Sequence, residues 1–337
     1  MPVVQREGAW LVEYRHNGAI AAAMSDRPTR IQPASDAVIA HAAALIAAGQ
    51  PVAVPTETVY GLAADATNPG AVAAIYEAKG RPSFNPLIVH VLDLGDAAAL
   101  AEFDDDACKL ASAFWPGPLT LVLPRRADCP VASLATAGLP TIAIRVPAHP
   151  VMRALLRACK VPFAAPSANA SGRISPTTAA HVAESLNGRI SLIVEGGACA
   201  VGLESTIVAL AGGVARLLRP GAVTAEMLGA AIGKRVFETR PGDTIEAPGQ
   251  LASHYAPTKP LRLNARAAAP DEYLIGFGAI AGDASLSPSG DLTMAAAALF
   301  DALHRADASP RTRIAVAPIP IEGLGVAIND RLARAAA

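Results

Sequence analysis

Short apolar runs that each end in a cluster of hydroxyl, amide or cationic side chains constrain this chain more than any other feature. Val52-Ala53-Val54 opens into Pro55-Thr56-Glu57-Thr58-Val59-Tyr60-Gly61-Leu62. Lys79-Gly80-Arg81-Pro82 leads through Asn85-Pro86 into an apolar stretch, Leu87 to Leu92, that carries His90. Runs of this length read as buried strands. Further runs at 119–123, 141–146, 162–165, 192–194, 206–210 and 215–218 alternate with helical patterns at 71–78, 105–114, 150–158 and 178–186. That alternation predicts an α/β domain with a largely buried sheet. The two runs flanking Gly212-Gly213 read as a hairpin, so a mixed sheet is expected. Polar ends of buried strands are where α/β proteins hold ligands, and two cations among hydroxyls point to an anion, most simply a nucleotide phosphate.

The 337 residues leave room for two domains, and a chain 52% hydrophobic and 17% charged has ample material for a core. A net charge of -1 argues against a protein that coats nucleic acid, though not against a local cationic cleft. No apolar run reaches the roughly 18 residues of a membrane span, so no membrane partner is expected. The Ala/Ile/Leu-rich stretch 36–49 reads instead as a buried helix, capped by Ser35 or Asp36 and ended by Gly49. Cys108, Cys129, Cys159 and Cys199 form no Cys-x-x-Cys pair, which fits reduced thiols in a cytoplasmic protein better than a zinc ribbon or a disulfide scaffold. No metal-ligand set is read from the sequence.

Residues 1–30 lack the pattern of a signal peptide and stand as an N-terminal extension, with Met1 or Met24 as the start. The main α/β domain is placed at 31–233. Residues 234–260, with Pro241, Gly242, Pro248 and Gly249, read as a linker carrying Ser253-His254-Tyr255-Ala256-Pro257. Residues 261–337 read as a small open-sheet α/β domain with strands at 272–277 and 313–317, a helix at 293–306 and a closing helix at 331–336. Gly276-x-Gly278-x-x-x-Gly282 misses the dinucleotide spacing by one residue and reads as a plain turn.

Each polar cluster also has a bland explanation. Lys79 and Arg81 at a helix end favour the helix dipole, His90 alone is a satisfied core histidine, and the threonines at 56 and 58 can serve a turn. However, Pro82 holds Arg81 in extended geometry, which aims a guanidinium as phosphate recognition requires. Pro166-Ser167-Ala168-Asn169-Ala170-Ser171-Gly172 then precedes Ser175-Pro176-Thr177-Thr178, a helix N-cap pattern that permits close approach of phosphate. Glu204-Ser205-Thr206 and Arg219-Pro220-Gly221 repeat the arrangement. Five such loops at strand ends favour one shared ligand site over five unrelated turns.

Together these motifs resemble the YrdC-domain family in its long, two-domain form, the threonylcarbamoyl-AMP synthases. The resemblance rests on PTETVYGL, KGRP with NPLIVH, FWPGPLTLVL, TIAIRVP, PSANASG, GLESTIV, LRPG, HYAP and GLGVAINDRLARAA, and covers about Ile31 to the C-terminus. It implies a twisted, mostly buried mixed α/β sheet with helices around a cationic cavity, plus a small Rossmann-like α/β domain. It implies the reaction of L-threonine, bicarbonate and ATP, with Mg2+, to threonylcarbamoyl-adenylate and diphosphate. A downstream threonylcarbamoyl transferase complex then modifies the adenosine beside the tRNA anticodon, with at most a weak tRNA contact by the synthase itself.

By motif, the resemblance implies that Thr58, His90, Arg145, the Ala165 backbone and Ser205 hold threonine. Arg81, Asn85, Thr141, Ser167, Ser175, Arg219 and Tyr255 would bind ATP, Tyr255 as a lid. Lys79 and Asn169, beside Arg81 and Ser167 in the catalytic set, would face phosphates or Mg2+. Ala298 stands where the family leads one to expect asparagine. Two competing readings remain at this level: a carbamoyl-adenylate-forming domain, which usually travels with Cys-x-x-Cys pairs absent here, and an RNA-binding or ribosome-assembly module, disfavoured by few aromatics and a charge near zero.

Overall fold

The computed structural model describes residues 29–81, 85–238 and 254–337. The first domain is built on strands β1 (Arg30–Pro33), β2 (Val52–Val54), β3 (Gly61–Asp65), β4 (Ile88–His90), β5 (Leu119–Pro124) and β6 (Thr141–Arg145). It continues with β7 (Phe163–Ala164), β8 (Leu192–Glu195), β9 (Thr206–Ala211), β10 (Val214–Arg219) and β11 (Val236–Glu238). These form an 11-stranded mixed sheet in the order β1-β8-β2-β3-β7-β4-β6-β5-β9-β10-β11. Helices α1 (Asp36–Ala47), α2 (Pro69–Lys79), α3 (Leu94–Ala98), α4 (Asp105–Phe114), α5 (Pro150–Cys159), α6 (Ala179–Leu186) and α7 (Ala225–Ile232) accompany it.

Local chemistry fixes the ends of these elements. Ser35 caps α1 by accepting from Val38 N, and Thr178 caps α6 by accepting from His181 N. Helix α2 begins with Asn68 as cap and Pro69 in its first turn, and stops at Gly80, whose φ of 59° an L side chain would resist. That stop leaves Lys79 on the last turn and turns Arg81 away from the helix axis. The sheet register then sets a row: His90 on β4 pairs with Arg145 on β6, which pairs with Thr120 on β5. Three polar side chains therefore sit side by side at one level of a sheet whose remaining strand positions are mostly apolar.

The second domain holds a parallel four-stranded sheet, β12 (Leu261–Arg262), β15 (Arg313–Val316), β13 (Glu272–Gly276) and β14 (Ala284–Ser285), in that spatial order. It is packed by α8 (Leu292–Ala308) and α9 (Leu324–Ala335). The domains share a core: Val59, Ile174 and Leu203 of the first are buried with Leu299, Phe300, Ile328 and Leu332 of the second. Gly202 meets α8 so closely that a Cβ there would lie 2.5 Å from Ala297 Cα.

Several boundaries differ from the sequence reading. Arg30, assigned to the extension, pairs in β1 with Leu192 of β8, and Thr29 donates to the Ile190 carbonyl. Strand β11 lies inside the stretch 234–260 read as linker, because Ala215 to Leu217 of β10 offer it a parallel edge. Strand β3 has no β-branched residue to announce it; burial between β2 and β7 makes it a strand. Helix α9 starts at Leu324, earlier than the 331–336 reading, since no side chain caps it and its small apolar residues mask the period. Most of the linker, 239–253, lies outside the described residues, as do nearly all of the N-terminal extension and Pro82.

At the domain seam, the His181 and His304 rings stack with centroids 3.9 Å apart and 14° between planes. Burial and the neighbouring His181 hold His304 down at about 4, despite Glu184 and Asp301 nearby. A histidine with a depressed pKa stays neutral in the fold while the unfolded chain takes up a proton, so stability is lost as pH falls from about 6.5. His304 alone should remove about 2 kcal/mol between pH 7 and pH 5. Thermal melts of His304→Gln should therefore show a shallower decline over that range than the wild type; equal declines would refute the assignment.

Candidate active site

One cavity opens beside the His90–Arg145–Thr120 row. Its wall comprises Thr56, Thr58, Val59 and Gly61 from the β2–β3 loop, Arg81 after α2, Ile88 and His90 of β4, and Arg145 of β6. Ala165, Pro166 and Ser167 after β7, Glu204 and Ser205 before β9, Arg219 ending β10, and His254 and Tyr255 complete it. Of the residues expected at a site, Thr58, Arg81, His90, Arg145, Ala165, Ser167, Ser205, Arg219 and Tyr255 are thus brought to one wall. Lys79, Asn85, Thr141, Asn169 and Ser175 are not on that wall, though all but Thr141 are buried.

The PTETVYG loop is organised by its own hydroxyls. Thr56 Oγ1 donates to the Val59 carbonyl at 2.6 Å and accepts from Val59 N at 3.2 Å, closing the turn. Its neighbour Thr58 lies 2.8 Å away, hydroxyl to hydroxyl, and receives Arg145 Nη1 at 2.8 Å. Arg145 also donates Nε to the Gly117 carbonyl at 3.2 Å and Nη2 to Glu57 Oε1 at 2.5 Å. Burial alone would raise the Glu57 carboxyl, but the Arg145 charge and hydrogen bond outweigh it and hold it below the ordinary value. Glu57 was not singled out in the sequence; only its place between two threonines of the motif could have suggested it. A planar guanidinium carries five donors, so these three bonds leave Arg145 two more N–H groups.

His90 is buried, with Nδ1 3.3 Å from the Ile88 carbonyl. Burial, reinforced by Arg145, pushes it down to about 3, so it is neutral throughout the physiological range. Ser205 Oγ lies 2.7 Å from Thr120 Oγ1 and accepts from Arg219 Nη2 at 3.2 Å, while Arg219 Nε donates to the Ser205 carbonyl at 3.0 Å. Arg81 donates Nη2 to the Pro86 carbonyl at 3.1 Å, and burial lowers it to about 10. Its Nε, Asn85 Oδ1 and His254 Nδ1 are buried without a hydrogen-bond partner among the described residues. Native proteins leave few such groups unpaired, and two of these, Arg81 Nε and His254 Nδ1, belong to residues of the cavity wall, where a polar ligand can satisfy them.

Lys79 takes a supporting place. Its ammonium donates to the carbonyls of Ser167 and Asn169, each at 2.5 Å, and burial pushes its pKa down. Asn169 Nδ2 in turn donates to the Arg173 carbonyl at 2.8 Å. The two residues hold the PSANASG loop in shape, so that Ser167 faces the cavity. Ser175 donates its hydroxyl to Glu204 Oε1. Thr141 begins β6 four residues before Arg145, on the same face of the strand. Among the described residues no cluster of metal-ligating side chains is present.

Fold and cavity together define a class: an α/β domain with a cation-lined pocket suited to an anionic ligand, joined through a shared core to a small parallel-sheet domain. The chain belongs to the Sua5/YciO/YrdC family. Residues 44–221 match that family's model, described as telomere recombination, and residues 223–337 match the threonylcarbamoyl-AMP synthase C-terminal domain. The chain is 42% identical over 325 residues to the threonylcarbamoyl-AMP synthase of Bacillus subtilis, covering 90% of this chain and 94% of that protein. It is 39% identical over 316 residues to the Pyrococcus abyssi threonylcarbamoyl-AMP synthase, covering 87% and 92%. Its fold superimposes with a TM-score of 0.83 and 37% identity on P. abyssi Sua5 complexed with L-threonine, covering 91% of this chain and 98% of that one.

The Arg145–Glu57 pair makes a direct prediction. Removing one member of a buried pair leaves the other charge uncompensated, at a cost of about 3–5 kcal/mol. Glu57→Ala should therefore lower the denaturation midpoint by an amount corresponding to several kcal/mol. A midpoint within experimental error of the wild type would show that Arg145 does not need its partner.

Proposed function

We propose that this chain is a threonylcarbamoyl-AMP synthase, making L-threonylcarbamoyl-adenylate, diphosphate and water from L-threonine, bicarbonate and ATP. The observation that carries the reading is the wall itself: Arg81, Arg145 and Arg219 converge on one cavity, with the neutral His90 and the hydroxyls of Thr58 and Ser205 between them. Similarity to synthases along most of the chain supports it.

The chemistry asks for positioning more than for a nucleophile. The threonine amine attacks the bicarbonate carbon (or CO2 formed from it), water departs, and a carbamate results. A carbamate oxygen then attacks the α-phosphorus of ATP and the bond to diphosphate breaks. Holding three anions together and meeting the charge that builds on phosphorus are the tasks left to the protein.

In this reading the two remaining N–H groups of Arg145 take the threonine carboxylate. Thr58, Ser205 and the Ala165 backbone enclose the rest of the amino acid. A neutral His90 beside it adds no positive charge to oppose the ammonium group as substrate binds. Arg81 and Arg219 receive the phosphates, with Ser167, Asn85, Thr141 and Ser175 on the nucleotide side. Lys79 and Asn169 act by holding the Ser167 loop, and Tyr255 covers the nucleotide. Mg2+ would enter with the nucleotide, as the Mg·ATP substrate. The product passes to a threonylcarbamoyl transferase acting on tRNA.

Diphosphate release tests the reading. With ATP and Mg2+ present, release should require threonine and bicarbonate together, and mass spectrometry should find the threonylcarbamoyl-adenylate. Release that ignores threonine would reject it. For the site, calorimetry should show Arg145→Ala binding threonine about tenfold or more weakly, since a charge-assisted pair to its carboxylate is lost. Unchanged affinity would remove Arg145 from that role.

A further inference from the structure

Glu204 is out of place in a cavity built for polyanions. Its carboxylate is buried, it stands on the same wall as Arg81 and Arg219, and Arg219 is near enough for the two charges to act on each other. Left alone, such a group would repel phosphate or take the nearest guanidinium for itself. A third cation reaches it from the other domain.

That cation is Arg331, in the middle of α9 and the largest side chain among the fully buried ones described. Its Nε donates to Glu204 Oε2 at 2.8 Å and its Nη1 to Asp330 Oδ2 at 2.6 Å. Arg334 Nε donates to the other oxygen of Asp330 at 3.0 Å, so charges alternate along Glu204, Arg331, Asp330 and Arg334. The Arg331 guanidinium also lies 5.4 Å from the centroid of the Tyr255 ring. The loop bearing Glu204 is held to the small domain by its preceding residues as well: Gly202 abuts α8 and Leu203 is buried in the second domain's core. Thus the Asp330-Arg331 dipeptide of the C-terminal NDRLAR motif, which substrate contact does not account for, meets the cavity through one carboxylate.

We propose that Arg331 is a positioning residue for nucleotide binding: as the counter-charge of Glu204, it leaves Arg219 free for phosphate and keeps the cavity net cationic. The small domain thereby supplies a charge the catalytic domain lacks, and ATP affinity depends on that domain being docked. This inference rests on the synthase reading for the identity of the ligand, ATP.

The test is calorimetric binding of Mg·ATP, and separately of threonine, to the full chain. Arg331→Met should weaken ATP binding by about tenfold or more, close to 1.4 kcal/mol, while threonine affinity stays within about threefold. Arg331→Lys, which keeps the charge, should lie near the wild type. Glu204→Gln with Arg331→Met should recover ATP affinity to within about threefold of the wild type, a rescue that a merely structural role does not give. If Arg331→Met does not fold, the comparison moves to the Glu204→Gln background, where the neutral pair avoids a buried orphan charge. There the second substitution should make little difference to ATP binding. Loss of ATP affinity on adding Arg331→Met to Glu204→Gln, or wild-type affinity in Arg331→Met alone, would overturn the proposal. A wild-type chain that binds no ATP would overturn the synthase reading and this inference with it.

Discussion

Burying several cations around one cavity is the constraint on which the rest of this structure depends. Lys79, Arg145 and Arg219 are almost fully buried, and Arg81 stands on the same wall, in a chain whose net charge is -1. An unpaired buried charge costs several kcal/mol, comparable to a large part of a domain's whole stability. Each is therefore met by oxygen: Lys79 by two carbonyls of the Ser167–Asn169 segment, Arg145 by Glu57, Thr58 and Gly117, Arg219 by both oxygens of Ser205. Those oxygens come from loops at strand ends, where backbone groups no longer belong to the sheet. The short strands and many breaks of the first domain follow from that need.

The same constraint explains what was legible in the sequence. Arg81 and Arg219 could be picked out because each follows an apolar or helical segment and has proline beside it, whereas Arg145 was reached only through the family resemblance of its TIAIRVP stretch. The strands and helices that bury β-branched residues, or carry a polar cap such as Ser35 or Thr178, could be read directly. Strand β3 could not, because Gly61-Leu62-Ala63-Ala64-Asp65 gains its conformation from the neighbours that cover it. Strand β11 and Arg30 escaped notice for a related reason, as short edge segments defined by pairing across long sequence separations.

Roles were harder to read than places. Lys79 is flanked by motif residues as a phosphate ligand would be, yet its ammonium is fully occupied by the loop that carries Ser167 and Asn169. Nothing in Lys-x-Arg spacing distinguishes a cation facing a ligand from one bracing the loop behind it. Glu57 and Glu204 were overlooked as partners because carboxylates are not what an anion site leads one to seek. Glu57 answers the buried Arg145, and Glu204 is in turn answered by Arg331.

That balance has a consequence for how the two domains act together. Glu57 is answered from within the first domain, by Arg145 at the end of β6, far along the chain but adjacent in space. Glu204 is answered across the seam by Arg331. Its flanking residues Gly202 and Leu203 are spent on packing with the small domain, so the charge pair and the apolar contact engage together. The seam is also where Tyr255 sits, in contact with Phe300 on one side and His254 on the other. The place of Tyr255 on the cavity wall and the pairing of Glu204 with Arg331 thus both depend on how the two domains pack. A chain holding the first domain alone would keep the row of His90, Arg145 and Thr120, fixed by sheet register. It would lose Arg331, the arginine that pairs with Glu204 on the cavity wall.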